Sequence, residues 1–229
     1  MKLLAFIAFT FLLIPKTFSQ TDSSRWQIGV QFSPDYCYRI IAKEYPGNPI
    51  YTFFDDRDFP KLGYTVGALS TYKLNTMFEL QAGLTYSLKS YRTENTIYYL
   101  SHSPSMTVIP IVDADHYYHF LSIPVGVNGL FGKQKLKLLT NLSLTANYQF
   151  RRTDHYTFSN NNPEQVTKFD DAHFFLGSEA GVGFSYQFNS HLNFRLLPVF
   201  RYGITKTPAY FTNIHLWSAG INIGAFYSL

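Results

Sequence analysis

The sequence TMFELQAGLTYSLKSYR, at residues 76–92, alternates strictly from Phe78 to Lys89 between apolar residues and polar residues or glycine. The apolar set comprises Phe78, Leu80, Ala82, Leu84, Tyr86 and Leu88. The alternate positions, from 79 to 89, carry only two charged side chains, Glu79 and Lys89. A period of two places the two sets on opposite faces of a β-strand. Residues 172–188 repeat the pattern, and the polar faces are too uncharged and too rich in glycine for a surface that contacts bulk water.

Two kinds of barrel have strands of this pattern, a soluble barrel with its apolar face inside and a membrane barrel with that face toward lipid. The alternating runs have about a dozen residues or more, whereas strands of soluble sheets most often have about five or six. A tilted strand needs about nine to eleven residues to cross the hydrocarbon layer. Aromatic residues make up 18% of the chain and concentrate at the ends of the runs, as in the aromatic girdles at membrane interfaces. The pattern therefore predicts a membrane barrel, the one β architecture that leaves no backbone groups unpaired in lipid.

Eight runs are predicted to be strands, at 25–39, 61–74, 76–92, 116–131, 135–152, 172–188, 191–204 and 212–229. The links between them alternate in length. Tight links rich in turn-forming residues lie at 75, 132–134 and 189–190. The other links are longer and lie at 40–60, 93–115, 153–171 and 205–211. We therefore expect an all-β, eight-stranded antiparallel up-and-down transmembrane β-barrel, with short periplasmic turns, long extracellular loops and both termini on the periplasmic side.

The first residues have the three parts of a secretory signal peptide. Lys2 supplies the positive charge, residues 3–14 form the apolar run, and Thr17 and Ser19 are small residues of the kind that a signal peptidase requires. The apolar run is shorter than the roughly twenty residues of a membrane helix, and Pro15 follows it directly, so an uncleaved anchor is less favoured. We expect a cleaved signal peptide at residues 1–19 and a single outer-membrane β-barrel domain at residues 20–229.

The charge and the cysteine content exclude several classes of function. The formal charge is +4, and loss of Lys2 and Lys16 with the signal peptide reduces it to +2. So small an excess indicates no nucleic-acid partner. The single cysteine, Cys37, cannot form an intramolecular disulfide, and we expect it to pack near a strand end. Nothing in the sequence indicates a cofactor.

One segment resembles a known family. Residues 119–127 read HFLSIPVGV, with the pattern Leu-x-Ile-Pro-hydrophobic at 121–125. This pattern is similar to a strand motif of the outer-membrane β-barrel domain family of Bacteroidetes, the PorT-like or porin-family small barrels. The glycine-rich strand at 177–186 and the Ser-Gln end of the signal region are also similar. The resemblance implies a barrel in a Gram-negative outer membrane. It implies neither secretion nor porin activity, because the family groups barrels whose tasks are mostly unassigned.

The polar faces of the predicted strands would point into the barrel. Eight strands enclose an interior just wide enough for side chains to fill it, so an open aqueous channel is disfavoured. The charged members of the inward set are the candidate lumen network, namely Glu79, Lys89, Lys137, Arg151, Glu179, Arg195 and Arg201. If the turn at 189–190 leaves Phe188 opposite Leu192, Glu179 faces Arg201 as a buried ion pair. We expect these charges to be structural. The alternative is a narrow polar path for ions or a small solute.

An enzyme and a metal site are both less favoured. A lipid-facing deacylase needs a histidine base and a serine nucleophile on one face of a strand, but His215 and Ser218 are three residues apart and therefore point to opposite faces. The acidic runs at 55–58 and 113–116 offer oxygen ligands that would suit Ca²⁺. Neither run has the spacing of a known calcium loop. We expect solvated acidic loops, or loops that share divalent ions with lipopolysaccharide phosphates.

The long loops contain more aromatic residues than solubility favours, and our candidates for interaction are Tyr51, Phe53, Phe54, Tyr98, Tyr99, Tyr156 and Phe158. Exposed aromatic clusters often mark interfaces, although such residues can also cap a barrel mouth or extend its strands. The sequence thus predicts a non-enzymatic integral outer-membrane protein with a structural or protein-interaction role in the cell envelope. Its expected partners are outer-membrane lipid, lipopolysaccharide and an envelope protein. The alternative function is a narrow channel or small-solute transporter.

Overall fold

The structure is a computed structural model that describes residues 25–42, 57–94, 97–100, 107–132, 134–158, 164–170, 172–208 and 213–229. The predicted signal peptide lies outside these residues. The described strands, in chain order, are β1 (Trp26–Ala42), β2 (Asp58–Lys73), β3 (Phe78–Glu94), β4 (Ile97–Leu100), β5 (Thr107–Phe131), β6 (Leu136–Phe158), β7 (Gln165–Phe169), β8 (His173–Gln187), β9 (Leu192–Gly203), β10 (Thr207–Pro208) and β11 (Asn213–Ser228). Within the described ranges, no helix has the length and apolarity needed to cross a membrane.

The sheet closes on itself, because β1 pairs with both β2 and β11. The ring runs β1–β2–β3–β5–β6–β8–β9–β11, and every neighbouring pair is antiparallel. The closing ladder extends from Gln27 opposite Ser228 to Ala42 opposite Asn213. The short strands add to the rim, β4 on β5, β7 on β6 and β10 on β11. The predicted eight-stranded antiparallel barrel is confirmed.

The wall has its apolar side chains outside and its polar side chains inside. In β1, Gln27 and Asp35 are buried, whereas the outward residues Ile28, Val30 and Phe32 are 50%, 64% and 48% exposed. Exposure of this much apolar area in water would be strongly unfavourable, since each Å² costs about 25 cal/mol. The burial pattern therefore corresponds to a barrel whose outer face is solvated by lipid.

Two belts of aromatic side chains encircle the barrel and mark the boundaries of its apolar outer face. At the end with the short turns, Trp26 packs on Tyr72 with ring centroids 4.9 Å apart. At the other end, Tyr148 and Phe174 have centroids 4.7 Å apart. Further pairs at the two ends are Phe78–Phe131, His191–Tyr227, Tyr64–Tyr86 and Phe200–Trp217. These belts match the predicted girdles, where amphipathic rings lie at the headgroup level.

Asparagine side chains fix the short turns. Asn75 Oδ1 accepts hydrogen bonds from the backbone N–H groups of Met77 and Phe78, both at 2.8 Å. Asn189 Oδ1 does the same for His191 at 2.9 Å and for Leu192 at 2.7 Å. Such local bonds explain why asparagine favours turns. Both ends of the described barrel, Trp26 and Leu229, lie at this short-turn end and share a backbone hydrogen bond.

At the opposite end, the long-loop end, the strands extend well beyond the belt of aromatic residues. β5 has 25 residues and β6 has 23, more than twice the number needed to cross the hydrocarbon. The predicted loops at 93–115 and 153–171 are therefore partly strand, because residues 107–115 pair with β6 or β4 and residues 153–156 pair with β7. We call the part of β5 and β6 beyond the aromatic belt the extension. It contains a β-bulge at Phe150, since His119 pairs with Arg151 while Phe120 pairs with Gln149.

Candidate functional site in the barrel lumen

The centre of the lumen holds the ion pair that the sequence predicts between Glu179 and Arg201. The two residues lie directly opposite each other on β8 and β9. The turn brings Phe188 opposite Leu192, with a backbone hydrogen bond of 2.9 Å. Arg201 Nε donates to Glu179 Oε2 at 2.6 Å. The predicted pair is confirmed.

A second carboxylate, which the sequence analysis missed, joins this pair. Asp35 of β1 accepts from Arg201 Nη1 at 2.6 Å and from Lys89 Nζ at 2.5 Å. The hydroxyl groups of Ser33 and Thr65 donate to the same carboxylate, each at 2.7 Å. Asp35 is two residues from the polar Ser33 in an alternating strand, so the alternation of β1 predicts that both side chains point into the lumen.

We call Asp35, Lys89, Glu179 and Arg201 the central cluster. Its four formal charges cancel, and each side chain is at most 13% exposed. A cavity of about 60 Å³ lies beside the cluster. Its polar lining includes Gln31, Gln81, Thr85, Ser87, Ser122, Asn147 and Ser218. A cavity of this size has room for a few water molecules. The cluster itself ties β1, β3, β8 and β9 together across the lumen.

A second ion pair lies nearer the short-turn end. Arg195 Nη2 donates to Glu79 Oε2 at 2.8 Å and to Gln27 Oε1 at 2.9 Å. The guanidinium also lies 4.1 Å from the centroid of the Phe226 ring. Within the described part of the chain, Glu79 Oε1 and Arg195 Nη1 have no hydrogen-bond partner. A cavity of about 10 Å³ beside Arg195 is large enough for one water molecule.

Near the long-loop end, an apolar layer crosses the lumen above the central cavity. It consists of the buried side chains Tyr91, Tyr118, Phe120, Phe175, Ile214 and Leu216. Phe120 and Phe175 pack edge to face with centroids 5.1 Å apart. Phe120, Phe175 and Leu216 also line the 60 Å³ cavity, so this layer borders the cavity on the side of the long-loop end.

An upper ionic layer lies above the apolar layer. Arg39 donates to Asp58 at 2.6 Å, and Arg152 forms a bidentate contact with Asp154. His116 Nδ1 lies 2.9 Å from Asp154 Oδ1. Burial alone would raise the pKa of Asp154, but the contacts with His116 and Arg152 lower it to about 2. Sequence analysis missed this layer because its two carboxylates, Asp58 and Asp154, lie in predicted loops and because Arg152 follows the bulge at Phe150.

The structure places the predicted lumen residues as follows. Glu79, Lys89, Glu179, Arg195 and Arg201 are in the lumen. Lys137 is on the inward row of β6 at the short-turn rim, where it is partly exposed. The prediction that Arg151 lies in the lumen is wrong, since its side chain is 48% exposed and lies on the outer face. The bulge at Phe150 shifts the alternation by one residue, so the inward position belongs to Arg152.

The predicted interaction residues are divided by the structure. Tyr51, Phe53 and Phe54 lie outside the described residues. Tyr98 and Tyr99 are in β4, opposite Ile109 and Val108 of β5. The prediction that Tyr156 is an exposed loop residue is wrong, because Tyr156 lies in β6, is 8% exposed and donates to Asp154 at 3.2 Å. Phe158 is partly buried and packs against Ala114 and Tyr156.

The chemistry available in the described residues is that of ion pairs and hydrogen bonds. His215 and Ser218 lie on opposite faces of β11, as the odd spacing predicts. No group of three or more histidine, cysteine or acidic side chains converges as a metal site in the described ranges. The expectation of solvated acidic loops is wrong for Asp58, which is buried against Arg39, and for Asp115, which pairs with Arg92 and Lys61. Cys37 is buried, free and inward-facing.

A closed ring of long strands with a polar interior and an apolar outer face defines an integral β-barrel membrane protein. The family model for the outer membrane protein beta-barrel domain matches residues 18–212, so the chain belongs to that family. A search of curated proteins gave no match.

Solved structures of several outer membrane proteins are similar in fold. Neisserial surface protein A is 12% identical, with 91% of this chain and 100% of that chain covered and a TM-score of 0.46. OprG from Pseudomonas aeruginosa is 10% identical, with 90% and 96% covered and a TM-score of 0.44. The outer membrane protease OmpT from Escherichia coli is 10% identical, with 93% and 99% covered and a TM-score of 0.46.

Proposed function

We propose that this chain is a non-enzymatic outer-membrane barrel with a structural or protein-interaction role in the cell envelope, exported with loss of residues 1–19. The Leu-x-Ile-Pro pattern at residues 121–125 supports a place among the PorT-like small barrels of Bacteroidetes. The described acidic and basic residues support a non-enzymatic role, since the inward ones neutralise one another instead of surrounding a nucleophile.

The observation that carries the proposal is the filled lumen. Four groups of side chains follow one another along the barrel axis from the short-turn end: the Glu79–Arg195 pair, the central cluster, the apolar layer and the upper ionic layer. The cavities between them measure about 60 and 10 Å³. Buried charges require partners because several kcal/mol are lost when one is left alone. These layers support a barrel wall that is cross-linked through its lumen and closed to solutes.

The 60 Å³ polar cavity is the one observation that favours the alternative, a narrow channel. In that case the central cluster would be a selectivity site for ions or a small solute. Glu179→Gln separates the two functions, because it removes one charge and keeps the shape of the side chain. A structural barrel predicts no conductance steps in planar bilayers for the parent protein and a lower melting temperature for the variant. Conductance that changes in Glu179→Gln with an unchanged melting temperature would favour the channel.

The interaction role has its own test. The native barrel is extracted from its outer membrane in mild detergent, and the co-purified proteins are identified by mass spectrometry. We expect one companion in stoichiometric amount, which Tyr98→Ser/Tyr99→Ser in β4 releases and Lys135→Gln at the opposite rim retains. Recovery of a lone monomer would leave the structural role and contradict the interaction role.

A further inference from the structure

The outer face changes from apolar to charged at the long-loop end, and the change is abrupt. Along β5 the outward residues are Asp115, Tyr117 and His119 in the extension, followed by Leu121 and then Ile123, which is 54% exposed. On β3, Tyr86 lies opposite Leu121 and therefore diagonally across the ladder from His119, and Tyr86 Oη is 2.8 Å from His119 Nδ1. This polar contact within an aromatic belt marks the level of lipid headgroups.

The bulge at Phe150 turns the side chain of Arg151 to the outer face at this boundary. It lies opposite His119 in the ladder, and its side chain is 48% exposed on the outer face. The Phe150 ring lies 6.0 Å from His119 and 6.3 Å from Tyr86, between centroids. Bulges re-aim a side chain at a chosen position. The guanidinium group therefore stands at the upper edge of an aromatic platform.

Arg151 differs from the other outward cations in its weak pairing. Arg92 Nε donates to Asp115 at 2.7 Å, and Lys61 contacts the same carboxylate. The carboxylate contact of Arg151 is with Asp170 at 3.4 Å, and the Asp170 side chain is 79% exposed. Such a contact is screened by solvent and is worth little. The charge of Arg151 is thus available to an outside anion.

A second exposed cation, Lys168 of β7, stands beside Arg151. It lies opposite Thr153, two residues along β6 from Arg151. Within the described part of the chain, Lys168 forms no salt bridge. Neighbouring outward positions on adjacent strands are about 5–8 Å apart, a separation that one phosphate group can bridge.

The outer face below Arg151 offers a path for a hydrocarbon chain. Ala146 lies in the outward row of β6, between Ile123 of β5 and Leu176 of β8. Its small side chain leaves a shallow depression between larger apolar neighbours. Leu144, the next outward residue toward the short-turn end, is 64% exposed. A lipid whose headgroup contacts Arg151 would thus place an acyl chain against apolar side chains.

We propose that Arg151 and Lys168 form a binding site for the phosphate group of an outer-leaflet lipid, with the aromatic platform of Tyr86, His119 and Phe150 beneath it. This site goes beyond the structural role proposed above. Guanidinium and ammonium groups are the usual partners of phosphate oxygens, and cations at the membrane surface attract anionic lipid.

The test is a titration of the full barrel in detergent with bisphosphorylated lipid A, followed by native mass spectrometry. We expect a one-to-one complex that Arg151→Gln/Lys168→Gln weakens about tenfold. Lys135→Gln is the matched control, because Lys135 is an exposed cation at the opposite rim. It should bind like the parent protein. An equal loss in Lys135→Gln, or no loss in the double variant, would overturn the proposal.

Two further measurements keep the test independent of variant folding. The parent protein should bind lipid A stripped of both phosphates at least tenfold more weakly, and equal binding would refute a phosphate site. Inorganic phosphate at millimolar concentration should not displace lipid A, since the acyl chains contribute to binding. Displacement would show a site for a free anion instead of a lipid.

Discussion

Arg151 and Arg152 are adjacent in the chain, yet their side chains lie on opposite sides of the barrel wall. Arg152 is 7% exposed and holds Asp154 in the lumen, whereas Arg151 is on the outer face. In a regular strand adjacent residues also alternate, but the bulge at Phe150 decides which arginine points inward. The same bulge gives the extension an inner face of even-numbered residues, with Asp154 and Tyr156 after Arg152.

Substitution of these two arginines should have very different effects on stability. Arg152→Gln leaves Asp154 buried without its bidentate partner, so we expect a loss of about 3 kcal/mol in the free energy of unfolding. Arg151→Gln removes an exposed contact and should cost less than about 0.5 kcal/mol. Urea unfolding in detergent, followed by tryptophan fluorescence, measures both. Equal losses would show that the bulge assignment is wrong.

The pH dependence of stability should report on Asp154. Its pKa is about 2 in the folded barrel against an ordinary value of 3.8. A lowered pKa contributes stability that is complete above about pH 4 and disappears as the pH falls toward 2. Asp154→Asn should therefore lie about 2 kcal/mol below the parent protein at pH 6 and match it near pH 2. Thermal unfolding from pH 2 to 7 tests this, and a constant difference would contradict it.

Much of the architecture is encoded in simple alternation. The period of two predicts the eight long strands, the inward rows and the opposition of Glu179 and Arg201, since one turn fixes that register. The bulge at Phe150 is not predicted, because an inserted residue leaves no mark in an apolar–polar pattern. The upper ionic layer is missed for a second reason. Its members are the polar ends of long strands, which resemble loop composition until the partner strand is known.

Gly220 is required by a close approach in the lumen. A Cβ atom at this position would lie 2.0 Å from Asp35 Oδ1 and 2.8 Å from the carbonyl oxygen of Pro34. Gly220→Ala must therefore displace Asp35 from Arg201, and we expect it to lower the free energy of unfolding by about 2 kcal/mol or more. Ala219→Val, on the exposed face of the same strand, is the control and should change stability little. A neutral Gly220→Ala would show that the central cluster can rearrange.

Asp35 should be the most sensitive member of the central cluster. It accepts from both Lys89 and Arg201, whereas Glu179 pairs with Arg201 alone. Asp35→Asn leaves two buried cations with one carboxylate, and we expect a loss of about 3–5 kcal/mol. Glu179→Gln should cost less, because Arg201 keeps Asp35 and the Asn222 amide oxygen. The order of the two melting temperatures is the measurement, and the reverse order would place the main pairing at Glu179.

Removal of a whole ion pair should be tolerated better than removal of one partner. Lys89→Met alone leaves Asp35 with one cation, and Asp35→Asn alone leaves Lys89 without its carboxylate. In Asp35→Asn/Lys89→Met the cluster keeps only Arg201 and Glu179, which neutralise each other. The double variant should therefore be more stable than the sum of the single effects predicts, by about 1–3 kcal/mol. Additive losses would mean that Lys89 is balanced by the whole lumen and not by Asp35, and would weaken the argument that local pairing closes the barrel.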